Sequence, residues 1–549
     1  MRTILNNALR RYVKWSLPFY LLVFLPFNAS AQDEFTLVHD DCLPDGFYET
    51  TVGHRAGAVR KKLPTPKKDW NPEKVYRQLV ILFEFEDTPF TYADDPHTFY
   101  DRLFNDSDFN DGLGPGCTAD YFRNQSQGML NLQFDVYGPV KVSSKAQPVE
   151  NPTASTRNYG RDAMIEATNK VLAAYPEIDF SVYDWNGDRS IEQVIYVFAG
   201  LTGNIDASDC YGHIWPNTST FNTITTTDGY KISSYTVSGE LWPTSTKRSC
   251  GIGTICHEYS HSLGLPDIYP TTGDAGYSVC DEWDLMDGGN FTNYGWCPPN
   301  YTPVEKWCLG WLSFIDLEEP ASITDLKPVA EGGEVYRIKH SDSEWLLLEN
   351  RQQRGWDAGA PGKGLVVYHV YYDNSVWRGN TVNNNASKRR FELIHADNMD
   401  YDAWDDYIST KSLGQYAVSQ RMNKRHLSSS PYPWSTDSTV FVNDELTETS
   451  VPAPKMNYAN GEGQMALNKS ITNIRMSEEG YVSFDFMGGD QTGISDLKPQ
   501  ISSLKPTTCK DVASLAVKAV ASIFSDALMA QFANVLINFI FINFKHQSL

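Results

Sequence analysis

The spacing of apolar positions changes along the chain, and the change divides it. "QLVILFEF" (78–85) is an unbroken apolar run of strand length, and "LNLQFDV" (130–136) sets Leu130, Leu132, Phe134 and Val136 at period two. Both predict β-strands, the first a buried one. "DAMIEATNKVLAAY" (162–175) repeats Met164, Ala167, Val171 and Ala174 at helical spacing, and "EQVIYVFAG" (192–200) is strand again. "GIGTICHEYSHSLG" (251–264) then reads as a helix closed by Gly264. Strand and helix signals mixed in this way predict one α/β domain over residues 75–315. Beyond 316 the signals are nearly all strand: "EVYRIKH", "EWLLLEN", "GLVVYHVYY", "RRFELIHA", "STVFVND" and "YVSFDFM", with turn residues between them. They predict an all-β, sandwich-like domain over 316–489, which makes the fold class α+β.

The ends of the chain follow other rules. Arg2, Arg10, Arg11 and Lys14 precede the apolar "WSLPFYLLVFLPF", and Ala29-Ser30-Ala31 follows as a small-x-small cleavage site. Residues 1–31 are expected to be a signal peptide, since the run is short and proline-containing for a membrane span. The protein is therefore expected to be secreted, extracellular or at the cell surface. Residues 32–74 show little periodicity, and "RKKLPTPKKDW" near their end looks like an exposed linker, suited to proteolytic removal of a pro-segment. The tail, 490–549, is apolar but interrupted by Lys518, Asp526 and several Asn and Gln. It has no assigned role, and any membrane contact is expected only there.

Composition narrows the partners. The 549 residues are 41% hydrophobic and carry a net charge of −22, so the chain can build dry cores and repels phosphate backbones and anionic lipid. Nucleic acid is excluded as an expected partner. Nine cysteines in an exported chain predict disulfides, with Cys210, Cys250, Cys256, Cys280, Cys297 and Cys308 grouped around the histidine-containing helix.

That helix carries the chemistry. His257 and His261 stand four residues apart and share one helical face, so both imidazoles can reach one ion. Glu258 projects beside the first of them without ligating, in position to take a proton from water and pass it to a leaving amine. Gly264 permits a sharp left-handed turn, Pro266 prevents the helix resuming, and Asp267 arrives as the third ligand. Two imidazoles and one carboxylate leave a coordination position open, the mark of a catalytic zinc site. Asp274, Asp281, Glu282 and Asp284 are alternative third ligands. "EWDLMDGGN" (282–290) adds Met286 in a glycine-rich turn, an apolar floor under such a site.

HExxHxxGxxD with a methionine turn resembles the metzincin class of zinc endopeptidases. "HEYSHSLGLPDIY", "WDLMDGGN" and "TPVEKWCLGWL" (302–312) narrow the likeness to the immune inhibitor A family of secreted metallopeptidases. So do "YFRNQSQGMLNLQFDVYGPV" (121–140), "IDFSVYDWNGDRSIEQVIYVFAG" (178–200) and "LLLENRQQRGWDAGAPGKGLVVYHV" (346–370), in order along about residues 75–490. The resemblance implies a metzincin-like zinc protease that cleaves proteins and peptides, with a pro-segment before it and a β-rich domain behind. Carried over by position, His257, His261 and Asp267 hold zinc, Glu258 is the base and Met286 the turn methionine.

"YDWNGDRSIE" suggests a second metal, because Asp184, Asn186, Asp188 and Glu192 alternate oxygen ligands as a calcium loop does. Arg189 replaces the usual sixth-position glycine and no glutamate stands at position twelve, so an Asx-rich turn is the alternative. The reading expected from sequence is thus a secreted, monomeric zinc endopeptidase. The reading from a different class is a non-catalytic adhesin that binds through the β-rich domain.

Overall fold

The computed structural model describes residues 62–489 apart from 111, 205–211, 243–247, 273–278, 401, 404–426 and 436–441. The expected signal peptide, most of the expected pro-segment with Cys42, the third-ligand alternative Asp274, and the tail from 490 lie outside the described residues.

The N-terminal half is built on a five-stranded sheet of β1 (Val75–Glu84), β2 (Asn131–Lys141), β3 (Val194–Leu201), β4 (Asn217–Thr225) and β5 (Lys231–Leu241), in the order β2-β1-β3-β5-β4. The first four in that order run parallel, and β4 pairs antiparallel with β5 at the edge. Both faces are covered, which is why β1 reads as continuous apolar residues rather than an alternation. Leu79, Ile81 and Phe83 face one core with Met164, Ala167 and Val171 of α3 (Arg161–Ala174). Tyr76, Val80 and Leu82 face the other, with Ile255, Cys256 and Tyr259 of the motif helix α4 (Gly253–Leu263). Helices α1 (Pro96–Asn105) and α2 (Thr118–Gln125) cover β2, and α5 (Pro303–Cys308) ends this half.

The C-terminal half holds a five-stranded sheet of β6 (Ile315–Asp316), β8 (Tyr336–Lys339), β9 (Glu344–Arg351), β10 (Gly364–Tyr371) and β11 (Phe391–Leu393). A three-stranded sheet joins β7 (Ala321–Leu326), β14 (Ile471–Met476) and β15 (Val482–Phe486), and β12 (Trp434–Ser435) pairs with β13 (Val442–Asn443). In β9 and β10, Leu346, Leu348, Leu365 and Val367 pack toward the three-stranded sheet with Ile323, Ile474 and Phe484. Their alternate neighbours Trp345, Leu347, Val366 and Tyr368 join the core that contains α4. One apolar core therefore runs across the 315/316 boundary, because the central strands of the second half have no polar face.

The structure bears on two sequence expectations. The "RKKLPTPKKDW" stretch is not detached from the body from Leu63 onward, although Thr65, Lys68 and Asp69 are exposed. Leu63 is buried and donates its N–H to Arg378 O (2.8 Å), and Trp70 Nε1 donates to Leu309 O (2.8 Å). The lysines that made it look solvated lay their stems and charges over rings, Lys67 over Trp70 and Tyr76, Lys68 over Trp307. Nor is there a disulfide among the described cysteines: Cys117, Cys250, Cys256, Cys280, Cys297 and Cys308 are all buried in apolar surroundings. Burial pushes the thiols of Cys117, Cys250 and Cys308 up to about 12, which keeps them protonated.

Candidate metal centre

The local sequence builds the centre in two moves. Helix α4 ends at Gly264, whose φ of +105° belongs to the left-handed region. A Cβ there would stand 2.9 Å from Pro64 O, so glycine is required by conformation and by the close passage of the N-terminal stretch. Gly264 N–H returns to His261 O and Leu265 N–H to Ser260 O, closing the helix. The chain then doubles back and brings Asp267 against the face that bears both histidines.

Asp267 Oδ1 lies 3.2 Å from His257 Nε2 and 3.1 Å from His261 Nε2, and all three groups are buried. Each imidazole is oriented through its other nitrogen. His257 Nδ1 is 2.7 Å from Leu285 O and His261 Nδ1 is 2.8 Å from Leu265 O. A carbonyl only accepts, so both Nδ1 atoms carry the proton and both Nε2 lone pairs face Asp267. In the neutral imidazoles, two lone pairs and a carboxylate oxygen aim at one point with no proton between them. Burial would raise the Asp267 carboxyl, but the imidazoles hold it well below the usual range. Burial would likewise lower His261, yet Asp267 outweighs it and raises the imidazole to about 9. The position asks for positive charge. His261 Nε2 is buried with no hydrogen-bond partner, and ligand atoms about 2.0–2.2 Å from one tetrahedral ion stand roughly 3.3–3.5 Å apart. The donor set and its spacing fit a divalent metal.

Glu258 is buried one residue from His257, and its Oε2 likewise has no hydrogen-bond partner. Burial pushes its pKa up, with the two imidazoles opposing. It shares with His257 a cavity of about 30 Å³, also lined by Asn204, Trp215, Tyr269 and Phe291, which is room for one water. Thr218 of β4 donates to the main-chain oxygen of Glu258, which seats the helix on the sheet edge.

Met286 is buried, and its carbonyl accepts from Ile268 N–H (2.9 Å), next to Asp267. Among the described residues, His257, His261 and Asp267 form the one group of acidic, histidine or cysteine side chains whose ligand atoms converge. Asp281, Glu282 and Asp284, the alternative third ligands, are not in it. Asp184, Asp188 and Glu192 do not converge either. Asp184 accepts the N–H groups of Gly187, Asp188 and Arg189, Asn186 that of Asp188, Asp188 that of Ser190, and Glu192 that of Trp185. These bonds close the segment as an Asx-rich turn on its own amides.

Residues 71–306 match the family model for the catalytic domain of the immune inhibitor A peptidases, M6. Over this region the chain is similar to the M6 metallopeptidases. Immune inhibitor A of Bacillus thuringiensis subsp. alesti is 24% identical over 303 residues, 46% of this chain and 43% of that protein. The chain thus spans under half the length of that relative. A solved structure of catalytically inactive OgpA from Akkermansia muciniphila, in complex with an O-glycopeptide substrate, aligns with 57% of this chain and 95% of its own. At 13% identity and a TM-score of 0.24 it establishes no common fold.

The M6-like region is buttressed by groups the sequence did not announce. Tyr269 lies parallel to the His257 ring, 6.3 Å between centroids at 8°. Asn380, from the C-terminal half, accepts from Asp267 N–H (2.6 Å) and donates to Asp267 Oδ2 (2.7 Å). No local periodicity signals either residue.

Beneath the methionine turn, Asp284 and Glu305 face each other fully buried, and burial raises both, Glu305 to about 7. Two such carboxyls share a proton in the folded state that the unfolded chain gives up at ordinary acidic pH. Their contribution to stability is therefore complete below about pH 4 and lost as pH rises through about 7. Glu305→Gln supplies a permanent N–H donor to Asp284 in place of that proton. Its melting temperature is expected to fall less than the parent's between pH 5 and 8 in calorimetry; parallel curves would show that the pair is not protonated.

Proposed function

We propose that this chain is a secreted, metzincin-like zinc endopeptidase. The observation that carries the reading is the convergence of two Nε2 lone pairs and Asp267 Oδ1, with the Glu258 carboxylate beside them in a cavity sized for water. His257, His261 and Asp267 would hold the zinc. Bound there, zinc supplies Lewis acidity toward a peptide carbonyl and lowers the pKa of water toward neutrality. Glu258 takes the proton of the attacking water on its carboxylate and returns it to the departing amine nitrogen. The same burial that raises its pKa suits it to hold that proton between the two transfers. Leu285 O and Leu265 O keep both imidazoles in the tautomer that presents Nε2.

An extended substrate would be laid along β4, the antiparallel edge strand. It begins at Asn217, directly after the cavity-lining Trp215 and Pro216, and offers main-chain groups to pair with. The signal-peptide pattern of residues 1–31 supports export, and among the described residues no helix is long and apolar enough to cross a membrane. The net charge supports protein or peptide rather than nucleic-acid substrates.

The test is casein hydrolysis by the purified protein, before and after 1,10-phenanthroline and again after zinc is restored, with fragments read by mass spectrometry. Internal cleavage that the chelator abolishes and zinc recovers is expected. Hydrolysis indifferent to the chelator, or none by a protein carrying stoichiometric zinc, would overturn the proposal.

A further inference from the structure

We infer that Asn380, a residue of the C-terminal half, is a positioning residue for the metal centre: it ties down one oxygen of Asp267 and leaves the other as the sole ligand atom. The inference rests on the zinc-site reading above and concerns what makes that site competent.

Asp267 follows a glycine turn and a proline, outside any helix or strand, so no regular backbone ladder fixes its side chain. A carboxylate there with two free oxygens could chelate with both, or swing away. The structure removes that choice. The Asn380 side-chain amide reads both ends of the aspartate, its Oδ1 accepting from Asp267 N–H at 2.6 Å and its Nδ2 donating to Oδ2 at 2.7 Å. Only Oδ1 remains to face the imidazoles, at 3.2 and 3.1 Å. Donation to Oδ2 also steadies the negative charge that ligation needs, as outer partners of metal ligands do.

Asn380 is itself firmly placed. It is buried and sits at φ +54°, a left-handed position asparagine tolerates and most side chains do not. Its N–H bonds to Trp377 O (3.0 Å), and its carbonyl accepts from Thr271 Oγ1 (2.5 Å). Two neighbours hold the same pair of loops together: Asn383 Nδ2 donates to Ile268 O (2.9 Å), and Asn384 Oδ1 accepts from Thr271 N–H (2.7 Å). All three lie outside residues 71–306, the part that matches the M6 catalytic model. The metal centre is completed from beyond the peptidase domain's own segment.

The variants isolate this contact on the full chain. Asn380→Gly keeps the left-handed turn and removes both hydrogen bonds to Asp267. Asn384→Ala loosens the same loop at Thr271 and leaves Asp267 untouched. Zinc affinity is measured on metal-free protein by competition with a chromophoric chelator, alongside the melting temperature of the metal-free forms. Asn380→Gly is expected to bind zinc about 10–100-fold more weakly, while Asn384→Ala stays within about twofold of the parent. The cobalt(II)-loaded Asn380→Gly protein should also show changed d–d band intensity, because Asp267 can then engage through both oxygens. Zinc affinity of Asn380→Gly within threefold of the parent, or an equal loss in Asn384→Ala, would overturn the inference and leave a merely structural loop contact. If Asn380→Gly does not fold, Asn380→Asp, which tolerates the same left-handed turn but has no N–H to donate to Oδ2, is read against the same expectation. A parent protein that binds no zinc would instead sink the peptidase reading itself, so the two failures are distinguishable.

Discussion

Glu258→Gln is expected to lower casein hydrolysis by about two to four orders of magnitude, the usual worth of a positioned general base, with zinc content unchanged. The amide keeps the volume of the carboxylate, so the wall that Glu258 shares with Trp215 and Tyr269 around a cavity of about 30 Å³ is preserved. What it loses is the ability to take a proton. Glu258 is not in the converging group, so the substitution removes no ligand atom. His257→Ala or His261→Ala should behave differently and lose zinc and activity together, because each removes a ligand and leaves the Leu285 or Leu265 carbonyl without its donor. The contrast between kinetics and metal content, measured on the same preparations, separates base from ligands. A Glu258→Gln protein retaining more than about a tenth of the parent's kcat/KM would end the general-base assignment.

How much of this was legible beforehand depended on whether the information was local. The motif helix was legible because ligand spacing, the glycine turn and the proline lie within a dozen residues and obey helical geometry. Strands β1, β3, β9 and β10 were legible because burial on both faces leaves an unbroken apolar run. Strands β4 and β5 were not singled out, though β4 borders the centre. "NTSTFNTIT" and "KISSYTVSGEL" read as polar, yet Asn217, Thr218, Thr236 and Ser238 are buried. The Thr218 and Thr236 hydroxyls pair with each other and with Glu258 O, and the Asn217 amide with Trp215 O and the Tyr235 hydroxyl, so hydrogen bonding takes the place of apolar contact. The cysteine grouping, of which Cys210 lies outside the described residues, forms no bridge among its described members, because spacing in sequence says nothing about the direction of Sγ. Asn380 could not be found at all from spacing: its partner is 113 residues away, and an Asn-rich loop looks like any other turn.

Arg351→Met is expected to destabilise the fold by about 3–5 kcal/mol, the cost of removing one member of a buried charge network, read by urea denaturation of the metal-free protein. Arg351 is fully enclosed and distributes all its donors. Nε and Nη2 grip Asp357, Nη1 reaches Trp283 O, Glu349 Oε1 and the Tyr368 hydroxyl, each at 3.3 Å, and Nη2 reaches Asn300 O, also at 3.3 Å. Trp283 and Asn300 bracket the methionine turn, and Leu285 within that turn orients His257. The guanidinium therefore ties strand β9 to the floor of the metal centre. Removing it strands Asp357 and Glu349 in a core where, among the described residues, the other cation acting on Glu349 is Lys306, whose own pKa burial has lowered to about 8. The unbalanced charge, rather than lost packing, should account for most of the cost, since methionine fills much of the space. Arg351→Met combined with Asp357→Asn tests that division. The double variant removes the stranded carboxylate while its amide can still accept from Asn300 N–H, the bond Asp357 now makes at 2.9 Å. It should recover roughly 1–3 kcal/mol relative to the single variant, in line with the penalty for a buried unpaired group. A double variant no more stable than Arg351→Met would mean that what matters is the geometry Arg351 imposes on Trp283 and Asn300, and the loss should then appear as weakened zinc binding rather than as stranded charge.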